Sequence, residues 1–241
     1  MSSPPGVIDV VWAHPHGTPQ ARGLLDEHER QHLATLRRGA DQSRYVAAHA
    51  LLRLLVGRRW RVDPAAVEVT ATCRRCGGPH GLPTVTPPRG QPALHVSLAH
   101  AGDRVVVAAT ELGPVGVDVE VDSGADFAGF DRVSLAESER RELARLSPRD
   151  QLAGRARMWV RKEAVLKATG DGLSVDPRDV IVSAPPQPPR LLAWRGGSVH
   201  PSAVHRTDLS VGSGYAGCAA LLGPRTAPVR LRNGDELLLI G

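Results

Sequence analysis

The chain has 241 residues, 41% of them apolar, enough for the packed core of one large or two small domains and too much for extended disorder. Lys+Arg 30 against Asp+Glu 25 gives a net charge of +5, which favours a polyanionic ligand or an acidic protein surface as partner. With 2 Phe, 2 Tyr and 4 Trp and with arginines dispersed among other residues, the chain lacks a base-stacking platform for nucleic acid, and no apolar run approaches the roughly 20 residues a membrane span needs.

In chain order, Val7 to Trp12 reads as a strand, Leu24 to Leu36 as a polar helix and Ser43 to Trp60 as a longer helix. Strands are expected near Val67 to Ala71, His95 to Ala99 and Arg104 to Thr110, with Ala101-Gly-Asp103 as a hairpin turn and Thr86 to Pro92 as loop. The order then repeats. Val115 to Val121 is a strand, Leu135 to Leu146 and Pro148 to Ala168 are helices, and strands follow near Val180, Leu191, Tyr215 to Leu222 and Glu236 to Ile240. This pattern predicts an α+β fold of two similar lobes, residues 1–112 and 113–241.

Three cysteines are too few for a disulfide framework, and Met-Ser-Ser-Pro-Pro has neither the basic nor the apolar region of a signal peptide, so a cytoplasmic protein is expected. Cys73-Arg-Arg-Cys76 followed by His80 has zinc-like spacing but supplies three ligands only; the alternative is a tight turn with reduced thiols. Cys218 reads as a core residue of an apolar strand.

The 30 basic residues include only two lysines, Lys162 and Lys167, both in Trp159-Val-Arg-Lys-Glu-Ala-Val-Leu-Lys167. Lysine is a compact, titratable point charge where arginine is a fixed fork, so this clustering marks the run as a candidate active site. Ser147-Pro148 reads as a helix start, with serine as N-cap, and Thr169-Gly170 as its stop. Between them Leu152, Ala156, Trp159 and Leu166 form one apolar arc, with Glu163 at its centre and Lys167 on its flank. A carboxylate therefore faces inward, either as a functional group or as half of a buried Glu163–Lys167 pair four positions apart. Arg161 and Lys162 fall outside the arc, on a face expected to be solvated.

Gly113-Pro-Val-Gly-Val-Asp-Val-Glu-Val121 alternates strictly. Its valines share one face, and Gly116, Asp118 and Glu120 share the other. Two such carboxylates lie about 7 Å apart and repel by about 2 kcal/mol at an effective dielectric near 20. A divalent cation removes that repulsion, and an all-oxygen donor set suits Mg2+ or Mn2+; the alternative is an ordinary solvated strand face. If Glu163 lies across from the pair, three carboxylates and a lysine converge, a set suited to metal-assisted phosphoryl transfer.

Gly116-Val-Asp-Val-Glu120, followed about 40 residues later by the lysine run, resembles the paired signatures of the 4'-phosphopantetheinyl transferases of the long, surfactin-synthetase-activating type. Arg44-Tyr-Val-Ala-Ala-His-Ala-Leu-Leu-Arg53, Gly81-Leu-Pro83 and His95-Val-Ser-Leu-Ala-His100 stand in the order of that family's coenzyme A-binding elements, with Leu82 and Ala99 where the family often has Lys and Ser. The resemblance implies a pseudo-twofold protein with its active site between two lobes, moving phosphopantetheine from coenzyme A to a serine of an apo acyl or peptidyl carrier protein and releasing adenosine 3',5'-bisphosphate. Asp118, Glu120 and Glu163 would bind Mg2+, and Lys167 would contact the phosphates. Glu163 or a metal-bound water would be the base. Arg44, His100 and Arg53 would hold coenzyme A phosphates, His100 having the alternative of a strand-end histidine and Arg53 that of a surface arginine. No nucleic acid or membrane partner is expected, and a monomer is expected because both lobes lie in one chain. The competing expectations are a non-catalytic coenzyme A or carrier-protein binding relative and a zinc-containing nucleic-acid binder.

Overall fold

A computed structural model describes residues 6–72, 77–78, 81–197 and 199–240. Cys73, Cys76 and His80, the expected zinc ligands, lie outside the described residues.

Strand β1 (Ile8–Ala13) opens the chain and is followed by helices α1 (Pro19–Gly23), α2 (Glu27–Thr35) and α3 (Gly39–Trp60). The polar helix expected over 24–36 is α2, which starts three residues later, and the short α1 precedes the expected range. Asp26 accepts the Glu29 N–H at 2.8 Å while Glu29 accepts the Asp26 N–H at 2.9 Å, a reciprocal cap that starts α2 afresh. Helix α3 has 22 residues and ends at Arg61 in the left-handed region, φ 58°. Short strands β2 (Val69–Thr70) and β3 (Thr84–Val85) pair with each other, and β4 (His95–Ala101) and β5 (Arg104–Thr110) form the expected hairpin.

The next stretch begins with β6 (Val115–Val121), then α4 (Phe130–Ser134), α5 (Glu137–Leu143) and α6 (Pro148–Thr169). It continues as β7 (Val180–Val182), β8 (Leu191–Trp194), β9 (Val204–Asp208) and β10 (Tyr215–Leu222). Helix α6 ends at Gly170, φ 81°, as its sequence predicts. At its start, however, the Ser147 hydroxyl donates to Asp150 at 2.6 Å and caps no backbone N–H.

The chain closes with β11 (Val229–Asn233) and α7 (Asp235–Ile240). Here the expectations need two corrections. Residues 235–240 are helical rather than a strand, and the last segment does not belong with the lobe that precedes it. Strand β11 pairs in parallel with β1, Val10 opposite Leu231, so the chain divides into one unit of 1–112 with 228–241 and another of 113–227.

The first unit has the sheet order β11-β1-β5-β4, with α3 packed on β4 and β5 and a core of Val11, Leu51, Leu52, Val56, Trp60, Val105 and Val107. The second has the order β6-β10-β9 and a smaller β7-β8 pair, with α6 packed on β6 and β10. Its core includes Met158, Val165, Leu166 and Cys218, the last as the sequence predicts. No helix among the described residues is long and apolar enough to cross a membrane.

Candidate active site

Strand β6 presents Gly116, Asp118 and Glu120 on one face, and antiparallel β10 places Ala220, Cys218 and Ala216 directly beside them. Side chains paired across a ladder project to the same side, so these residues make a floor of small groups broken only by the two acids. Helix α6 lies on that floor. A Cβ on Gly116 would stand 2.0 Å from the Ala164 carbonyl oxygen and 2.5 Å from the Ala168 nitrogen. The bare glycine therefore sets how closely α6 approaches the strand, and with it how closely Glu163 and Lys167 approach Asp118.

Lys167 Nζ donates to Asp118 Oδ1 at 2.8 Å, linking helix to strand. Asp118 is 7% exposed, and its carboxyl is raised above the usual range by burial, against the pull of Lys167. Burial likewise raises Glu120, whose Oε1 accepts the Val121 N–H at 2.8 Å and closes against Gly124. Glu163 is pushed up to about 7, by burial first and then by the negative charge of Asp118, with Lys167 opposing. Its Oε1 is buried without a hydrogen-bond partner. Leaving a buried acceptor unmet costs about 1–3 kcal/mol, more when it is charged, so this oxygen is held unsatisfied at a real expense in stability.

The second lysine of the run has a different environment. Lys162 is 0% exposed, and its Nζ donates to Glu139 Oε2 at 2.6 Å and to the Pro177 and Val180 carbonyls at 2.8 Å. Arg161 is 1% exposed and bonds Asp208, the Ser183 carbonyl and the Gln187 carbonyl. The solvated face expected for these two residues is instead an interior, because α6 is covered by its sheet on one side and by α5 and β7 on the other. Both cations hold the second unit together.

A cleft of about 330 Å³ opens beside Glu120 and is bordered by Phe127, Phe130, Val133 and Trp159. Phe127 and Val133 are exposed at its edge, and Phe130 meets Phe127 and Trp159 edge-on. This border was not expected from the sequence, although the signal was present: the chain's 2 phenylalanines fall here, clustered as its lysines are.

In the first unit, Arg44 on α3 donates to the Gly102 carbonyl at 2.9 Å and pairs with Asp41. Gly102 is in the β4–β5 turn, two residues after the exposed His100, so Arg44 and His100 come to the same end of that sheet. Arg53 is placed otherwise. It is 1% exposed, with its guanidinium on Glu29 and Asp26, each at 2.8 Å, so it is neither a surface arginine nor presented to a phosphate.

Asp118, Glu120 and Glu163 share one charged environment, the charge of Asp118 raising the other two carboxyls. Among the described residues, the one trio with donor atoms within 4.8 Å of one another is His14, His16 and Asp235.

Residues 114–220 match a model of the 4'-phosphopantetheinyl transferase superfamily. A Synechocystis sp. protein assigned as a 4'-phosphopantetheinyl transferase is 27% identical over 175 residues, 71% of this chain and 68% of the relative. The phosphopantetheinyl transferase of Thraustochytrium sp. is 31% identical over 177 residues, 67% of this chain and 58% of the relative. The 4'-phosphopantetheinyl transferase psf-1 of Bacillus pumilus is 36% identical over 95 residues, 39% of each chain. This chain thus spans between about two fifths and two thirds of these relatives.

Proposed function

We propose that this chain is a 4'-phosphopantetheinyl transferase that moves phosphopantetheine from coenzyme A to a serine of an apo acyl or peptidyl carrier protein, a reading supported by the match of residues 114–220 and by its relatives. In this reading it is of the long, surfactin-synthetase-activating type and acts as a monomer with two pseudo-twofold lobes. The observation that carries the proposal is the buried, unpartnered Oε1 of Glu163 beside the Asp118–Lys167 pair.

That oxygen also tests whether a cation suits the site. Three carboxylates, all raised by burial and each of two affected by the charge of Asp118, are short of positive charge, and their donors are all oxygen. Such a set fits Mg2+ or Mn2+. Asp118, Glu120 and Glu163 would hold the ion, which supplies neutralisation of phosphate charge when bound.

The residues of the chain have the remaining work. Lys167, an ammonium beside Asp118, lies where it can meet phosphate oxygens as a compact charge. The serine Oγ forms its bond to the phosphorus that carries pantetheine, and the P–O bond to the adenosine 5'-phosphate breaks, releasing adenosine 3',5'-bisphosphate. The serine proton passes to Glu163 or to a water beside it as the base. Arg44 and His100 bind coenzyme A phosphates in this reading, and the apolar edge at Phe127 and Val133 receives the carrier protein.

Purified protein incubated with Mg2+, coenzyme A and apo carrier proteins of fatty-acid, polyketide and nonribosomal-peptide type should add one phosphopantetheine mass to at least one of them. Chelation with EDTA should stop the transfer and Mg2+ restore it. Coenzyme A binding without transfer to any carrier contradicts the proposal.

A further inference from the structure

The carboxylate of Asp235 and the imidazoles of His14 and His16 lie together in the first unit although 221 positions separate Asp235 from His14. The fold brings them there by parallel pairing. Strands β1 and β11 run side by side, so what leaves the end of β1 meets what leaves the end of β11. Gly234 makes that meeting close: a Cβ there would stand 2.4 Å from Val11 Cγ1, and the Gly234 N–H donates to the Trp12 carbonyl at 2.8 Å. The next residue, Asp235, is fixed from both sides. Its Oδ1 accepts the His14 N–H at 2.7 Å, and its Oδ2 lies 2.9 Å from His14 Nδ1 and 3.1 Å from Asn233 Nδ2. On the other strand, the His16 N–H donates to the His14 carbonyl at 2.8 Å across Pro15. That three-residue turn suits proline's fixed φ and folds the second imidazole back toward the first, ring centroids 6.1 Å apart.

We infer that His14, His16 and Asp235 form a binding site for a divalent transition-metal ion, with the ion clipping the C-terminal segment to the end of β1. Two imidazoles and one carboxylate are the borderline donor set that Zn2+ accepts, with water completing the coordination. The donors span up to 4.8 Å, whereas ligands about 2.0 Å from a tetrahedral ion lie roughly 3.3 Å apart. His14 and Asp235 already meet that spacing, so closure falls to the exposed His16 ring, which can swing inward by the remaining ångström or so. On binding, the ion takes the place of the proton between His14 Nδ1 and Asp235 Oδ2, and the neutral ring then carries its proton on Nε2. The site is remote in sequence from the acids of β6 and α6 and is independent of the reaction proposed above.

The test uses the full-length chain, stripped of metal by a chelator and titrated with Zn2+. Wild type should bind one equivalent more than His16→Gln, and its melting midpoint should rise with Zn2+ where that of His16→Gln does not. His16 is exposed, so this substitution leaves the metal-free fold intact. Asp235→Asn should weaken the same equivalent at least roughly tenfold, the least expected from losing a ligand. The difference should persist in a Cys73→Ser/Cys76→Ser background, which removes zinc bound at the cysteine pair. Equal Zn2+ stoichiometry in wild type and His16→Gln, or disappearance of the difference when the cysteines are replaced, overturns the inference.

Discussion

Two lysines five positions apart on one helix have opposite assignments, and burial separates them. Lys162 is enclosed and matched to Glu139, whose other oxygen accepts the Val182 N–H at 2.8 Å. Lys167 is about a quarter exposed and reaches Asp118 at the edge of the acid cluster. Removing one member of a buried pair leaves the other charge uncompensated and costs about 3–5 kcal/mol. Lys162→Met should therefore lower stability by about that amount in chemical denaturation, while the folded fraction keeps its transfer rate. Lys167→Met should lose transfer at least tenfold with a smaller loss of stability. The reverse pattern would exchange their roles. The inward position of Glu163 and the shared face of Asp118 and Glu120 were legible in the sequence, because periods of 3.6 and 2 fix direction without knowledge of the neighbours. The burial of Lys162 and Arg161 was not, since a single apolar arc presumes that only one side of a helix is covered.

At the level of elements, the site is made by one contact, α6 on β6, and Gly116 sets its distance. Gly116→Ala places a methyl group inside the backbone of α6, where neither Ala164 nor Ala168 can rotate away. Overpacking of this kind costs about 1–3 kcal/mol or somewhat more. Because Glu163 and Lys167 travel with the helix, the substitution should depress transfer and thermal stability together. A variant with full stability and full transfer would show that the helix does not rest on this glycine. The strand itself was readable from its valine alternation; the role of its glycine required the partner helix. Short elements were the least legible. Asp235–Ile240 carries an apolar run that suits strand or helix equally, and the acidic residues of its first turn favour the helix that forms. Strand β11, Val229-Arg-Leu-Arg-Asn233, does alternate, but its parallel partner lies at the other end of the chain.

Across the whole molecule, the division after Leu112 was legible as a break between strands. The return of residues 228–241 to the first unit was hidden because it depends on pairing over more than 200 positions, which no local pattern encodes. That return also explains how a histidine pair near the start meets an aspartate near the end. The acids of the candidate active site, by contrast, all lie within 113–227, the unit that contains the whole of the superfamily match. In the proposed mechanism Glu163 is a carboxylate held unsatisfied for function rather than for stability. The most direct measurement compares wild type and Glu163→Ala for both carrier modification by mass spectrometry and thermal unfolding. Transfer should fall at least about a hundredfold, with a melting midpoint equal to or above that of wild type, because an unpartnered buried oxygen has been removed. Retained transfer, or a collapse in stability with the loss, would contradict that mechanism.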